Sequence, residues 1–199
     1  MTHPGHGSAR GATGLLMLAA VLVVSGCSAG SHSAAAGASS PVSAAPGQKI
    51  VSGVGGVSVQ VPDSWVAGST RASSGTVLSY GSPDRVNGLP SQAVLVTLTN
   101  HPWPDVMAAS LARATEVLGA VRGSVQLARK DATVAGAGPA KVTSMSFPLP
   151  GGVTGTLYDL VAVTPQNQEL IVRVTVQAAP DAQRLADAIL GSVRLGATT

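Results

Sequence analysis

Apolar residues recur at every second position in several short segments of this chain, and stretches rich in Gly and Pro separate these segments. This period of two is typical of strands that bury one face. It is clearest near the end of the chain, where Leu or Val occupies alternate positions from 170 to 176. The strands predicted in this way are 57–61, 76–80, 93–99, 125–133, 140–147, 155–164 and 169–177.

Two of the separating stretches are predicted to be hairpin turns. Residues 165–168 (PQNQ) join the last two strands, and residues 53–56 (GVGG) precede the first one. Arg173 lies mid-strand, opposite the apolar face, where it is either solvated or ion-paired. If helices cover both faces of the sheet, it needs an acidic partner, and Asp159 on the neighbouring strand is the candidate.

Two segments have the helical spacing of three and four residues. The first follows the sequence HPWPD, whose prolines suit a first helical turn and whose Asp105 favours the positive end of the helix dipole. Its predicted buried stripe is Met107, Leu111, Ala114, Leu118 and Val121, and Gly119 or Gly123 is expected to end it.

The second helix is predicted to open at Pro180-Asp181 and to end at Gly191 as its C-cap. Its predicted apolar face is Leu185, Ala186, Ile189 and Leu190. The predicted elements come in the order strands, helix, strands, helix. This order indicates an α+β domain, with a mainly antiparallel sheet flanked by two main helices. Residues 48–196 have the length of one domain.

The amino terminus has the pattern of a lipoprotein signal peptide, residues 1–26. Residues 15–24 form an apolar run of signal-peptide length, too short for the ~20 residues of a transmembrane helix. Residues 24–27 (VSGC) match a lipobox, in which Cys27 carries a diacylglyceryl thioether and, after cleavage, an N-acyl group. The alternative is an ordinary secretory signal with a coincidental cysteine.

The expected location is therefore the extracytoplasmic face of the cell membrane, with the protein held there by its lipid. Residues 27–47 are almost entirely Ser, Ala, Gly and Pro, and they predict a flexible tether that has little to bury. Because Cys27 is the only cysteine, no intramolecular disulfide can form.

Composition excludes several classes of function. The 12 Lys and Arg against 9 Asp and Glu are spread along the chain, which is not the footprint of a nucleic-acid-binding protein. Of four histidines only His101 lies in the domain, so neither a histidine-based metal site nor a catalytic triad is expected. We expect no enzyme activity, no cofactor and no metal.

Three residues are candidates for contact with a partner, namely Trp65, His101 and Trp103. Trp65, after Pro62, belongs either to the core or to a recognition surface. Trp103, within His101-Pro102-Trp103, either packs over the first helix or contacts a partner or lipid.

Several of these segments resemble the LpqN/LpqT family of actinobacterial lipoproteins. They are residues 59–65 (VQVPDSW), the proline-rich entry to the first helix, residues 138–140 (GPA) and the terminal helix 187–194. The resemblance covers most of residues 48–194 and implies a PsbP-like α/β/α sandwich with no catalytic residues. It also implies an envelope-associated role.

Two functions follow from the predicted anchor, the predicted tether and the lack of recognisable catalytic or metal-binding residues. The first is a non-enzymatic envelope lipoprotein that binds or scaffolds a protein partner. The second is a carrier or sensor of a lipid or other apolar ligand, which would need a hollow between sheet and helix.

Overall fold

The computed structural model describes residues 43–68, 75–86, 88–100, 103–149, 152–177 and 181–196. The predicted signal peptide, Cys27, most of the tether and His101 lie outside these residues. No helix within the described ranges is both long enough and apolar enough to cross a membrane.

Most of the domain is built on a seven-stranded antiparallel sheet. Twelve strands and two α-helices are present in the described residues: β1 (Gln48–Ser52), β2 (Val57–Pro62), β3 (Val66–Ala67), β4 (Thr76–Gly81), β5 (Arg85–Val86), β6 (Leu89–Pro90), β7 (Gln92–Thr99), α1 (Val106–Ala120), β8 (Val125–Val134), β9 (Gly138–Pro148), β10 (Thr154–Val163), β11 (Glu169–Gln177), α2 (Ala182–Gly191) and β12 (Arg194–Leu195). The large sheet has the order β3-β4-β7-β11-β10-β9-β8.

The sheet has a different layer on each face. On one face lie α2 and a small sheet of order β1-β2-β12. They enclose the main core, which includes Val59 of β2, Val94 of β7, Val172 of β11 and Ile189 of α2, all at most 1% exposed. On the other face α1 packs over a smaller cluster of Ala114, Val117, Met145 and Leu157. This is the predicted α+β class.

The seven predicted strands and both helices are present, with bounds that differ by at most three residues. The prediction for β11 is confirmed in detail, because its alternate positions from 170 to 176 are fully buried. The turn at 165–168 joins β10 to β11, and residues 53–56 join β1 to β2. Strands β1, β3, β5, β6 and β12 were not predicted; four of them have only two residues, and the fifth, β1, belongs to the small sheet.

The predicted buried stripe of α1 is wrong except at Ala114. Met107, Leu111, Leu118 and Val121 are 36–48% exposed. The helix instead turns Ala109, Ser110, Ala114 and Val117 inward. Its rotation is set by polar contacts with the sheet, since Ser110 bonds Thr143 and Arg113 bonds Glu169.

Both helix starts carry an Asp, and only one of them caps through its side chain. The Asp105 carboxylate accepts a hydrogen bond from Ala108 N at 2.7 Å, as expected for an N-cap.

In α2, Ala186, Ile189 and Leu190 are buried and Leu185 is half-buried, so the predicted face is confirmed. That helix ends at Gly191, and the C-cap is Ser192.

The chain is hydrogen-bonded to the domain slightly before Gln48. The Ala45 amide donates to the Gln60 side chain at 3.0 Å, and the Asp63 amide donates to the Gly47 carbonyl at 3.1 Å. The last residues of the predicted tether therefore contact β2.

Candidate functional site

Helix α1 covers only part of its face of the large sheet. In the part of the chain that the structure describes, it packs mainly on β8, β9 and β10, and the same face of β11, β7 and β4 is largely without a helix. We call this area the open face. It is formed by Ser79 of β4, Ala93, Leu95 and Thr97 of β7, and Ile171, Arg173 and Thr175 of β11.

Strand register places these residues in rows. Ala93 pairs with Thr175, Leu95 with Arg173, and Thr97 with Ile171. Because side chains alternate between the two faces of a strand, these pairs point to the α1 side while their neighbours enter the main core. Apart from Ile171, which is 8% exposed, the open-face residues are half-buried, so they form a floor that a ligand could reach.

Arg113 of α1 marks the polar end of the open face. Its guanidinium donates to Glu169 through Nε at 3.0 Å and Nη2 at 2.5 Å, and through Nη1 to Glu116 at 2.7 Å. The hydrogen bonds to Glu169 are the main cause that raises the pKa of Arg113, and burial opposes them. Glu169 is fully buried, whereas the Glu116 side chain is 62% exposed.

A second buried ion pair lies beside the first. Arg173 donates to both oxygens of Asp159, at 2.8 and 2.7 Å, and the two residues are directly opposite in the β10–β11 register. Burial lowers the pKa of Arg173, but Asp159 outweighs that effect, so the pKa is raised. The ion pair predicted from the sequence is confirmed, and its carboxylate is 1% exposed.

These groups surround a polar pocket of about 270 Å³. Its lining comprises Leu95, Thr97, Thr99, Arg113, Glu116, Ile171 and Arg173. The hydroxyl of Thr99 is buried and has no hydrogen-bond partner among the described residues. Because the buried carboxylates are both held by arginines, this end is suited to polar contact and offers no free buried acid or base.

The other end of the open face is an apolar groove of about 490 Å³. Its floor includes Ala93 and Thr175, so it continues the rows that begin in the polar pocket. One wall is the β5–β6 hairpin, with Leu89 and Pro90, and the opposite wall is Phe147 with Leu149. Leu89, on the hairpin wall, is 67% exposed.

Small residues make this groove possible. A Cβ added at Gly81 would lie 2.9 Å from Pro90, so the hairpin packs directly on the sheet there. A Cβ at Gly155 would lie 2.5 Å from the Phe147 ring, so the ring packs directly against this glycine. The sequence signal for the groove is the set of small residues Ser79, Gly81 and Ala93 on two strands in which Gly81 pairs with Ala93, and the hydrophobic pattern does not predict it.

Of the residues singled out in the sequence for contact with a partner, the structure describes Trp65 and Trp103, and neither lines the open face. Trp65 is 2% exposed and belongs to the main core, which is the first of its two interpretations, so its ring is not available to a partner. Trp103 is half-buried just before the Asp105 N-cap. His101 and Cys27 lie outside the described residues. Among the residues that are described, no three His, Cys, Asp or Glu side chains are grouped to hold a metal ion.

Comparison with solved structures identifies the fold. The Ran-binding protein Mog1p of Saccharomyces cerevisiae is 14% identical, with a TM-score of 0.53 over 74% of this chain and 95% of Mog1p. LpqN of Mycobacterium tuberculosis, which is involved in cell envelope biogenesis, is 19% identical, with a TM-score of 0.49 over 74% of this chain and 89% of LpqN. Cyanobacterial PsbP from Synechocystis is 14% identical, with a TM-score of 0.48 over 75% of this chain and 93% of that protein.

The domain thus has an α+β fold similar to that of Mog1p. No protein-family model matches the sequence, and the search of curated proteins found no match. At these identities the likeness establishes the fold alone. Membership of the LpqN/LpqT family stays a proposal.

Proposed function

We propose that this protein is a membrane-anchored lipoprotein of the cell envelope, related to LpqN and LpqT, whose domain binds a protein partner without enzymatic activity. The observation that carries the binding role is the open face. A half-covered sheet with apolar walls and an exposed Leu89 is surface that water contacts unfavourably, and covering it would be stabilising.

The anchor is supported by the sequence VSGC at residues 24–27 and by the lack of any other cysteine. Two or more acyl chains on Cys27 would hold the domain stably at a bilayer. The Ser-, Ala- and Gly-rich segment after Cys27 would give it a reach of about 25 Å, from ~5–6 Å × √n for about twenty residues. A domain held in this way meets partners in the envelope at high effective concentration.

The anchor is tested by metabolic labelling with an alkyne palmitate analogue. The wild-type chain and a Ser28→Ala control are expected to take up the label and to sediment with membranes. Cys27→Ala should lose both properties. Label retained by Cys27→Ala would refute the lipoprotein assignment.

The partner is tested by crosslinking in intact cells followed by identification of the captured proteins. A reproducible protein that is lost when Ala93 is replaced by Leu would support binding at the open face. The variant must keep the wild-type circular dichroism spectrum and melting temperature. If no reproducible protein is captured by the wild-type chain, the scaffold function is wrong.

A second candidate function is a carrier or sensor of an apolar ligand, and the groove volume favours it. About 490 Å³ lies within the ~300–1,000 Å³ range of small-molecule sites, and the walls are largely apolar. Against it, the main core between the large sheet and α2 is sealed, with many side chains fully buried. Native mass spectrometry of membrane-extracted protein distinguishes the two, since a retained lipid mass that Ala93→Leu removes would favour the carrier.

A further inference from the structure

We propose that the occupant of the open face is an amphipathic helix of the protein partner, laid beside α1 with its acidic end at Arg85 and its basic end at Glu116. This inference rests on the proposed partner-binding function and specifies how the partner is recognised. Four observations on the described residues carry it: the width of the face, its length, the small residues on its floor, and the sign of the charge at each end.

The width fits one helix. Among the described residues β11, β7 and β4 are largely without a covering helix on this face, and neighbouring strands are spaced about 4.8 Å apart, so the face is roughly 10–14 Å across. An α-helix with its side chains is about 10–12 Å in diameter. At the polar end Arg113 of α1 borders these strands, and at the apolar end the β5–β6 hairpin borders them through Leu89. A single added strand would leave most of this width uncovered.

The length is that of a short helix. From Ala93 to Thr99 along β7 the floor rises about 20 Å at roughly 3.3 Å per residue. At 1.5 Å per residue, this corresponds to a helix of about 13 residues. Such a helix would present apolar side chains at positions i, i+3, i+4 and i+7, the spacing that helix-in-groove recognition uses.

The floor allows a helix to approach closely. Ser79, Ala93 and Thr175 are small residues directly beneath the apolar end, while Leu89 and Phe147 rise on either side. Large side chains from an incoming helix could therefore enter between the walls instead of resting on top of them. The same feature makes Ala93 the position where an added side chain would exclude the helix.

The two ends of the face carry opposite charge. At the polar end, Arg113 and Arg173 are matched by Glu169 and Asp159, which leaves Glu116 as the additional, exposed charge. At the apolar end, Arg85 is exposed, donates to the Gly88 carbonyl at 2.8 Å, and belongs to none of the ion pairs among the described residues.

A helix with acidic residues at its amino end and basic residues at its carboxyl end complements both charges. This distribution is also the one that the helix dipole favours within the helix itself. Asp84 precedes Arg85 but does not line the groove, so it serves as a matched control for charge.

The direct test is photocrosslinking of the full-length lipoprotein in its own cells. A benzoylphenylalanine is placed in turn at Leu89, at Glu116 and, as a control on α2, at Arg184, which is 83% exposed. Crosslinked peptides are then identified by mass spectrometry. We expect positions 89 and 116 to label one partner segment, at sites about 8–13 residues apart, in a sequence with helical apolar spacing and the stated charge order.

The outcomes separate this inference from the proposed function. Protein crosslinks from Arg184 but not from 89 or 116 would overturn the helix proposal and leave the partner-binding function standing. Crosslinks from 89 to lipid alone, or to partner segments without helical spacing, would also overturn it. Failure to label any protein from all three positions would refute both.

Substitutions then test the contacts, with the identified partner segment as a synthetic peptide. Arg85→Glu should weaken binding roughly three- to tenfold, and a peptide with its acidic end changed to lysine should recover the loss. Asp84→Lys should leave binding by the original peptide within about twofold. Ala93→Leu should weaken it at least tenfold, and the charge variants keep the proposal testable if Ala93→Leu is poorly folded. Equal effects of Arg85→Glu and Asp84→Lys would refute the predicted orientation.

Discussion

Replacing Arg173 by Met should strongly destabilise the domain, because it removes the partner of a carboxylate that water does not reach. Asp159 is 1% exposed and accepts two hydrogen bonds from Arg173 at 2.8 and 2.7 Å. Removing one partner of a buried pair typically costs about 3–5 kcal/mol. For a domain of this size, that corresponds to a melting temperature lower by roughly 6–20 °C.

Replacing the other partner, Asp159, by Asn should destabilise the domain less. The Arg173 side chain is 31% exposed, so after Asp159→Asn the guanidinium can hydrate and can still donate to the Asn oxygen. A lost charge-assisted hydrogen bond is worth about 1.5–3 kcal/mol. The paired change of Asp159→Leu with Arg173→Met replaces both charges by apolar groups, and it should lie within about 1 kcal/mol of wild type.

The assay is urea unfolding of the chain from Ser28 onward, followed by tryptophan fluorescence, since Trp65 is buried and reports loss of the core. Arg184→Met is the control, because that side chain is 83% exposed and its ion pair with Asp181 is long, at 3.3 Å. It should change stability by less than about 0.5 kcal/mol. A cost below 1 kcal/mol for Arg173→Met, or a double variant no more stable than that single one, would refute the reasoning.

Three further predictions concern stability elsewhere in the domain. Gly136→Ala should lower the free energy of unfolding in urea by about 2–4 kcal/mol, because the residue has φ +85° and a Cβ there would lie 1.9 Å from the Leu195 carbonyl oxygen. As a control, Gly119→Ala, in open space on α1, should be neutral or stabilising. Asp105→Ala should cost about 1 kcal/mol through loss of the N-cap, and an unchanged melting temperature would contradict that role. Burial raises the pKa of Tyr158, so the unfolded chain loses the phenol proton at a lower pH than the folded chain does, and the free energy of unfolding should fall as pH rises above about 10. Tyr158→Phe should make this fall with pH less steep. The phenolate absorbance of the folded wild-type chain should show a late-titrating tyrosine.

The β10–β11 hairpin shows why part of this fold was predictable. Strand β11 has a clear period of two, and the short turn at 165–168 leaves little freedom in its pairing with β10. Register then follows from the turn, and register brings Arg173 opposite Asp159. The ion pair could be predicted because it depends only on local pattern and on one connection.

Helix α1 shows the opposite case. Its apolar spacing is regular, but the sheet presents Thr143 and Glu169 beneath it, at separations of 33 and 56 residues from the helix residues that they contact. Those hydrogen bonds rotate the helix and leave Leu111 exposed. A hydrophobic pattern does not record polar partners so distant in sequence.

The open face was missed for a related reason. It depends on the small size of Ser79 and Ala93 and on the lack of a second helix beside α1 among the described residues. These residues lie on different strands, and only the strand order places them in one groove. The β5–β6 hairpin, which forms one wall, has strands too short for a periodic signal.

With the proposed anchor, mechanical load would enter the domain through the small sheet. The chain arrives through β1, and β12 at its other end pairs with β2 in the same sheet, on the side of the core opposite the open face. A pull on Gln48 acts at the open end of the β1–β2 hairpin, where it can break the ladder one bond at a time. Tension between an anchored amino terminus and a bound partner would therefore peel β1 first, while the seven strands that form the groove stay paired.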